Sequence, residues 1–147
     1  MSPRDIVSNC SSLNLRRAAR AASTFLDHYL SPLGLRAPQF GVLSAIDKLG
    51  ATHMTALADY MVTDRTTLTR NLALLERDGL VAVAQGRDRR VREIQLTQSG
   101  IDLLRNARPL WAKSEEDIRS QLGDEKWSSL LAILREVASL RPSSEDQ

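Results

Sequence analysis

Apolar residues recur along most of this chain at intervals of three and four, the period of a helix with one buried face. After a loose arm at Met1–Asp5, the positions Ile6, Cys10, Leu13, Ala18, Ala22, Phe25 and Tyr29 predict one long helix that ends before Pro32. Leu33-Gly34-Leu35 reads as a turn. Pro38 suits the first turn of the next helix, where its missing N–H is harmless. Phe40, Leu43 and Ala45 or Ile46 then face inward until Gly50 ends the helix near Leu49. Ala51 to Met54 reads as a short extended segment. Two short helices follow. Leu57, Ala58 and Met61 share a face behind Thr55, a candidate N-cap. Leu68, Leu72 and Leu75 form the buried stripe of the second. Thr63 is its candidate N-cap, Asp64 places negative charge at the positive end of the helix dipole, and Gly79 is a left-handed terminator.

The period then shortens to two. Leu80–Ala84 and Val91–Leu96 read as paired strands around the tip Gly86-Arg87-Asp88-Arg89-Arg90. Thr97 caps a helix running to about Leu122, lined by Ile101, Leu104, Trp111, Ile118 and Leu122 and bent by Pro109. Gly123 breaks it and Asp124 caps a last helix to about Leu140, marked by Trp127, Leu130, Leu131, Leu134 and Val137.

Helix, turn, helix and an arginine-tipped ribbon, in that order, predict a winged helix-turn-helix. The fold class is therefore mainly α with a small β-wing (α+β). Residues 35–97 form the DNA-binding unit, 1–34 and 98–142 a helical dimerisation region, and 143–147 a polar tail. The two helical flanks carry more apolar surface than one small winged unit could cover. The sequence on its own permits a monomeric helical cap, but leaving Trp111 and Trp127 exposed would create a large apolar patch, so a homodimer is the favoured reading.

Composition sharpens the partner. Net charge is only +2 over 147 residues, so the chain is not basic as a whole. Between Val62 and Arg92, however, seven arginines face four acids, whereas Gln98–Gln147 carries seven bases and nine acids. The positive field thus sits on the second helix and the ribbon. Arg65, Thr66, Thr67, Thr69 and Arg70 lie away from the leucine stripe, with side chains suited to base edges and phosphates of double-stranded DNA in the major groove. Arg77 is placed for a phosphate. Arg87, Arg89 and Arg90 crowd the tip, and Arg90 is the residue expected to enter the minor groove. Asp88 is expected to position a wing arginine through a charge-assisted bond, because a carboxylate is repelled by phosphate. Arg16, Arg17 and Arg20 on the first helix read as a solvated or ion-paired face.

DRTTLTRNLALLERDGLV (Asp64–Val81), GRDRR (Gly86–Arg90) and LTQSG (Leu96–Gly100) resemble the MarR (multiple-antibiotic-resistance regulator) family of transcription factors. NLRRAAR (Asn14–Arg20) and LSPLGLRAPQFGVL (Leu30–Leu43) extend the resemblance over nearly the whole chain. The wing tip departs from the family pattern. Many members have a longer tip, with a proline and a second aspartate before the DRR. The resemblance implies a triangular homodimer with interlocking terminal helices. It also implies a repressor that leaves a pseudo-palindromic operator when a small aromatic or phenolic effector enters beside the winged unit. Asn14, Arg17, Phe40 and Trp111 are the candidate walls of that effector site. Some members sense peroxide through an N-terminal cysteine, which here would be Cys10. A small buried hydrophobe is the preferred reading of Cys10, since Ser11, Ser12 and Leu13 surround it rather than tyrosines.

Other classes have little support. There is no glycine-rich phosphate loop and no Ser/His/Asp arrangement, so no enzyme and no cofactor are expected. The only histidines, His28 and His53, do not form a metal-ligand pattern. One cysteine excludes an internal disulfide. No apolar run is long enough to cross a membrane and no signal peptide opens the chain, which points to a cytoplasmic protein. The competing readings are a winged-helix module that binds a protein, a ligand sensor without DNA, and a redox regulator acting through Cys10.

Overall fold

The computed structural model describes residues 3–142. The chain forms α1 (Pro3–Asn9), α2 (Ser11–Leu30), a 3-10 turn (Ser31–Leu33), α3 (Ala37–Leu49), β1 (Thr52–His53), α4 (Met54–Met61), α5 (Arg65–Arg77), β2 (Val81–Gln85), β3 (Arg92–Leu96), α6 (Gln98–Leu122) and α7 (Asp124–Ala138). Mostly helical with a small three-stranded sheet, it is the α+β winged fold expected from the pattern.

The N-terminal expectation needs correction. Helix begins at Pro3, so the described part of the expected loose arm is ordered, and the single helix from Ile6 is two. Cys10 leaves the helical region (φ −80, ψ 109) and divides them. Asn14 explains the break. Its Nδ2 donates to the carbonyls of Val7 and Ser8, both at 3.2 Å, satisfying acceptors that the break deprives of their helical donors. It also lies 3.0 Å from the carbonyl of Cys10, which keeps its helical bond from the Asn14 N–H. Apolar spacing could not show this, because the stripe continues across the break. Met1, Ser2 and the polar tail 143–147 lie outside the described residues.

Three caps also move by one or two residues. His53, not Thr55, caps α4. Asp64, not Thr63, caps α5. Gly123 occupies the cap position of α7, and Asp124 is its first helical residue, paired instead with Arg119 at 2.6 Å. Thr97 caps α6 as expected, accepting from the Gly100 N–H at 3.1 Å.

The core gathers around α3, whose Val42, Leu43 and Ile46 are fully buried. Leu57 of α4, the Leu68–Leu72–Leu75 stripe of α5, and Val81 and Ile94 of the ribbon close over it. Leu30 of α2 and Leu104 and Ala107 of α6 enter the same cluster, so the winged unit and its flanking helices share one core. The sheet order is β1-β3-β2, all antiparallel, with Ile94 paired to both Thr52 and Val83. The extended segment before α4 thus joins the ribbon as a third strand. By contrast α7 buries no residue.

Candidate nucleic-acid interface

Helix α5 presents its outer face because its inner face is committed. Leu68, Leu72 and Leu75 point into the core, leaving Arg65, Thr66, Thr67, Thr69 and Arg70 exposed. The turn that delivers α5 is tight. Val62 adopts the left-handed conformation (φ 51), the only non-glycine residue to do so among the described residues. The Thr63 N–H closes the turn on the carbonyl of Ala58 at 3.1 Å. Asp64 then accepts from both the backbone N–H (2.9 Å) and the hydroxyl (2.7 Å) of Thr67. Those two bonds hold the Asp64 carboxyl below the usual carboxylate range, with the Arg70 charge adding to the effect. The Thr67 hydroxyl hydrogen is therefore spent on the cap, and what Thr67 offers a ligand is acceptor capacity only.

The wing tip is a backbone device. The Gly86 N–H meets the carbonyl of Val91 at 2.9 Å, and the Val91 N–H meets that of Asp88 at 3.0 Å. A Cβ on Gly86 would sit 3.0 Å from the Val91 carbonyl oxygen, so glycine keeps the closure uncrowded. Asp88 does position a wing arginine, but through the main chain. Its Oδ1 accepts from the Arg90 backbone N–H at 3.0 Å rather than from a guanidinium. The expected charge-assisted bond to an arginine side chain is thus corrected to a turn-forming bond that leaves the Arg90 guanidinium available. Arg87, Arg89 and Arg90 are all exposed. Arg77 pairs with the neighbouring Asp78 at 3.1 Å while remaining well exposed.

Between α5 and the wing lies a groove of about 790 Å³. Arg65 and Thr69 enter it from the helix, Arg90 and Arg92 from the wing, and His53 from β1, with Glu76 at its wall. The structure therefore brings Arg65, Thr69 and Arg90 to one site. Thr66, Arg70, Arg77, Arg87 and Arg89 stand on the surface outside that groove. Sequence reasoning missed His53 and Arg92 as groove residues. The signal for His53 was its place in the extended segment before the first helix, which the wing recruits.

A second cavity of about 680 Å³ lies between α3 and α6. Phe40 and Trp111 stack there with ring centroids 6.5 Å apart. Arg105 and Arg108 line it with Asp47, and Arg108 pairs with Asp47 at 2.7 Å. Two of the four expected effector-site residues meet at this cavity. Asn14 and Arg17 do not line it, because Asn14 is engaged at the α1–α2 joint and Arg17 is exposed on α2. Cys10 is half-buried at that joint and is a free thiol. Among the described residues no cluster of three or more His, Cys, Asp or Glu side chains could hold a metal ion. No described helix is long and apolar enough to cross a membrane.

An exposed second helix beside an arginine-tipped, three-stranded wing defines the class, a winged helix-turn-helix protein. A sequence profile of the MarR family matches residues 33–91. The transcriptional regulator MosR of M. tuberculosis, solved in complex with DNA, is 35% identical, with 88% of this chain and 94% of that one covered at a TM-score of 0.80. The regulator PecS of Dickeya dadantii is 29% identical over 84% of this chain and 76% of its own length. A mutant MarR of E. coli in complex with operator DNA shares the fold at 23% identity and a TM-score of 0.82, with 92% of this chain and 99% of that one covered. This chain belongs to the MarR family of transcriptional regulators.

Proposed function

We propose that the protein works as a homodimeric repressor of a pseudo-palindromic operator, a binding protein rather than an enzyme, acting where that DNA lies, in the cytoplasm. The observation that carries this reading is the shared groove. Arg65 and Thr69 of α5 and Arg90 of the wing open onto one space. Arg65, Thr66, Thr69 and Arg70 read the major groove, with Thr67 as an acceptor beside them. Arg90 enters the minor groove, where arginine is favoured. Arg77, Arg87 and Arg89 hold phosphates. Residues 35–97 supply the DNA-binding surface, and 1–34 with 98–142 supply the dimer contact. Two recognition helices ~34 Å apart match successive major grooves.

The cavity between α3 and α6 supports release by a small aromatic acid or phenol. Phe40 and Trp111 offer ring faces, and Arg105 and Arg108 offer cations to a carboxylate. The cavity spans the winged unit and a helix of the proposed dimer region, so a ligand there can bias their relative placement.

Selection of genomic fragments by the purified protein at near-physiological salt tests the reading. Enrichment of a pseudo-palindrome bound at roughly nanomolar strength is expected. Weak, sequence-independent binding would overturn it in favour of a protein-interaction module.

A further inference from the structure

We infer that His53 is a ligand for the DNA backbone as well as a helix cap, donating its Nε2–H to a phosphate at the groove between α5 and the wing. The inference rests on the operator-binding reading above.

The first four backbone N–H groups of a helix lack partners within it. At α4 one of them, Ala56 N–H, is met by Nδ1 of His53 at 3.3 Å. A ring nitrogen that accepts a hydrogen bond carries no hydrogen. The neutral imidazole must then carry it on Nε2, so the cap fixes the tautomer. The ring's other edge can only donate.

That edge has no partner among the described residues, where no hydrogen bond engages Nε2. His53 is exposed, and it lines the groove that also holds Arg65, Thr69, Arg90 and Arg92. Among the described residues β1 lies at the margin of the sheet, paired to β3. The acids near it are Glu93, opposite His53 in the β1–β3 register, and Glu76 on the groove wall. Neither accepts from it. A fixed donor among four groove residues suited to DNA, three of them arginines, meets the acceptor those arginines select, a phosphate oxygen.

The donor is neutral, which separates it from the arginines. Loss of His53 should weaken binding without changing the salt dependence, because no counterion is released on its account. The cap and the contact can also be separated. Asparagine is a strong N-cap but lacks the reach of the imidazole's far edge.

The test compares wild type, His53→Asn, His53→Ala and Arg90→Ala on the selected operator across a salt series. His53→Asn is expected to keep the wild-type Tm and bind about three- to tenfold more weakly, the worth of one neutral hydrogen bond, with an unchanged salt slope. His53→Ala should lose stability as well. Long-range 1H–15N spectra of the free protein should show the Nε2–H tautomer at His53. Wild-type affinity in His53→Asn, an Nδ1–H tautomer, or a reduced salt slope in that variant would each overturn the assignment. If wild type selects no operator, the regulator reading and this inference both fall. If wild type binds and Arg90→Ala weakens it but His53→Asn does not, only this inference falls.

Discussion

Gly100, in the first turn of α6, lies so close to Leu80, at the foot of β2, that a Cβ on it would overlap the Leu80 carbonyl oxygen. Thr97 completes the joint. Its backbone N–H donates to Leu80 O at 3.1 Å and its hydroxyl to Gly79 O at 2.6 Å. The turn that follows α5, the start of the wing and the start of the long helix α6 are thereby fastened at one point. Helix α5 consequently has a fixed bearing relative to the helices outside the winged unit.

Gly100→Ala should therefore cost more than its single methyl suggests. The obstructing atom is backbone, so α6 must move or the loop must open. Overpacking of this kind costs about 1–3 kcal/mol. Urea denaturation should show the loss, and operator binding should weaken with it because the bearing of α5 changes. Wild-type stability in this variant would mean the joint is slack.

The Asp64 cap makes a prediction about acid. Its carboxyl is held below the ordinary range by the two bonds from Thr67. A depressed folded-state value means the stabilisation is present above the unfolded carboxylate value and is lost as pH falls through the folded one. Thr67→Val removes the hydroxyl donor and keeps the backbone one. The Asp64 carboxyl should then titrate at higher pH in NMR, and the acid unfolding midpoint should move up. A titration identical to wild type would show that the hydroxyl bond does not form in solution.

Arg90 should contribute charge as well as contact. Its backbone N–H is fixed by Asp88 while its guanidinium stays exposed. Arg90→Ala is expected to weaken operator binding and to reduce the salt slope by about 0.9, the share of one phosphate. Unchanged affinity and slope in fluorescence anisotropy would show that the wing stays off the DNA. Asp88→Ala should weaken binding too, by loosening the tip, yet leave the slope near wild type.

Much of this was legible in the chain. The stripe Leu68–Leu72–Leu75 and the terminator Gly79 fixed α5, and the alternation around Ile94 fixed the ribbon, because burial imposes those periods directly. What stayed hidden was polar and local. Asn14 breaks a helix whose apolar spacing runs on without a gap. Asp64 took the cap from Thr63, and His53 took it from Thr55, because several good acceptors stood within two residues and only backbone geometry selects among them. Asp88 could be recognised as an organiser of the wing, but nothing in the residue order shows whether it grips a side chain or the main chain. The groove residues His53 and Arg92 belong together only once β1 has paired with β3, a contact between segments some forty residues apart.

Helix α7 shows what the single chain leaves unfinished. It carries Leu130, Leu131, Ile133, Leu134 and Val137, yet none is buried, and Ile133 is 56% exposed. Ile6 and Val7 of α1 are likewise more than half exposed. Apolar side chains at this spacing on two terminal helices need a cover, and a second copy offers the same surfaces in return. Ile133→Asp places a charge in that contact without touching the core of the chain. Its circular dichroism should match wild type, while light scattering should report a monomer where wild type is a dimer. Operator affinity should fall at least ~100-fold, because the second half-site is no longer tethered to the first. A dimer of unaltered affinity would place the subunit contact elsewhere and leave the apolar face of α7 without a role.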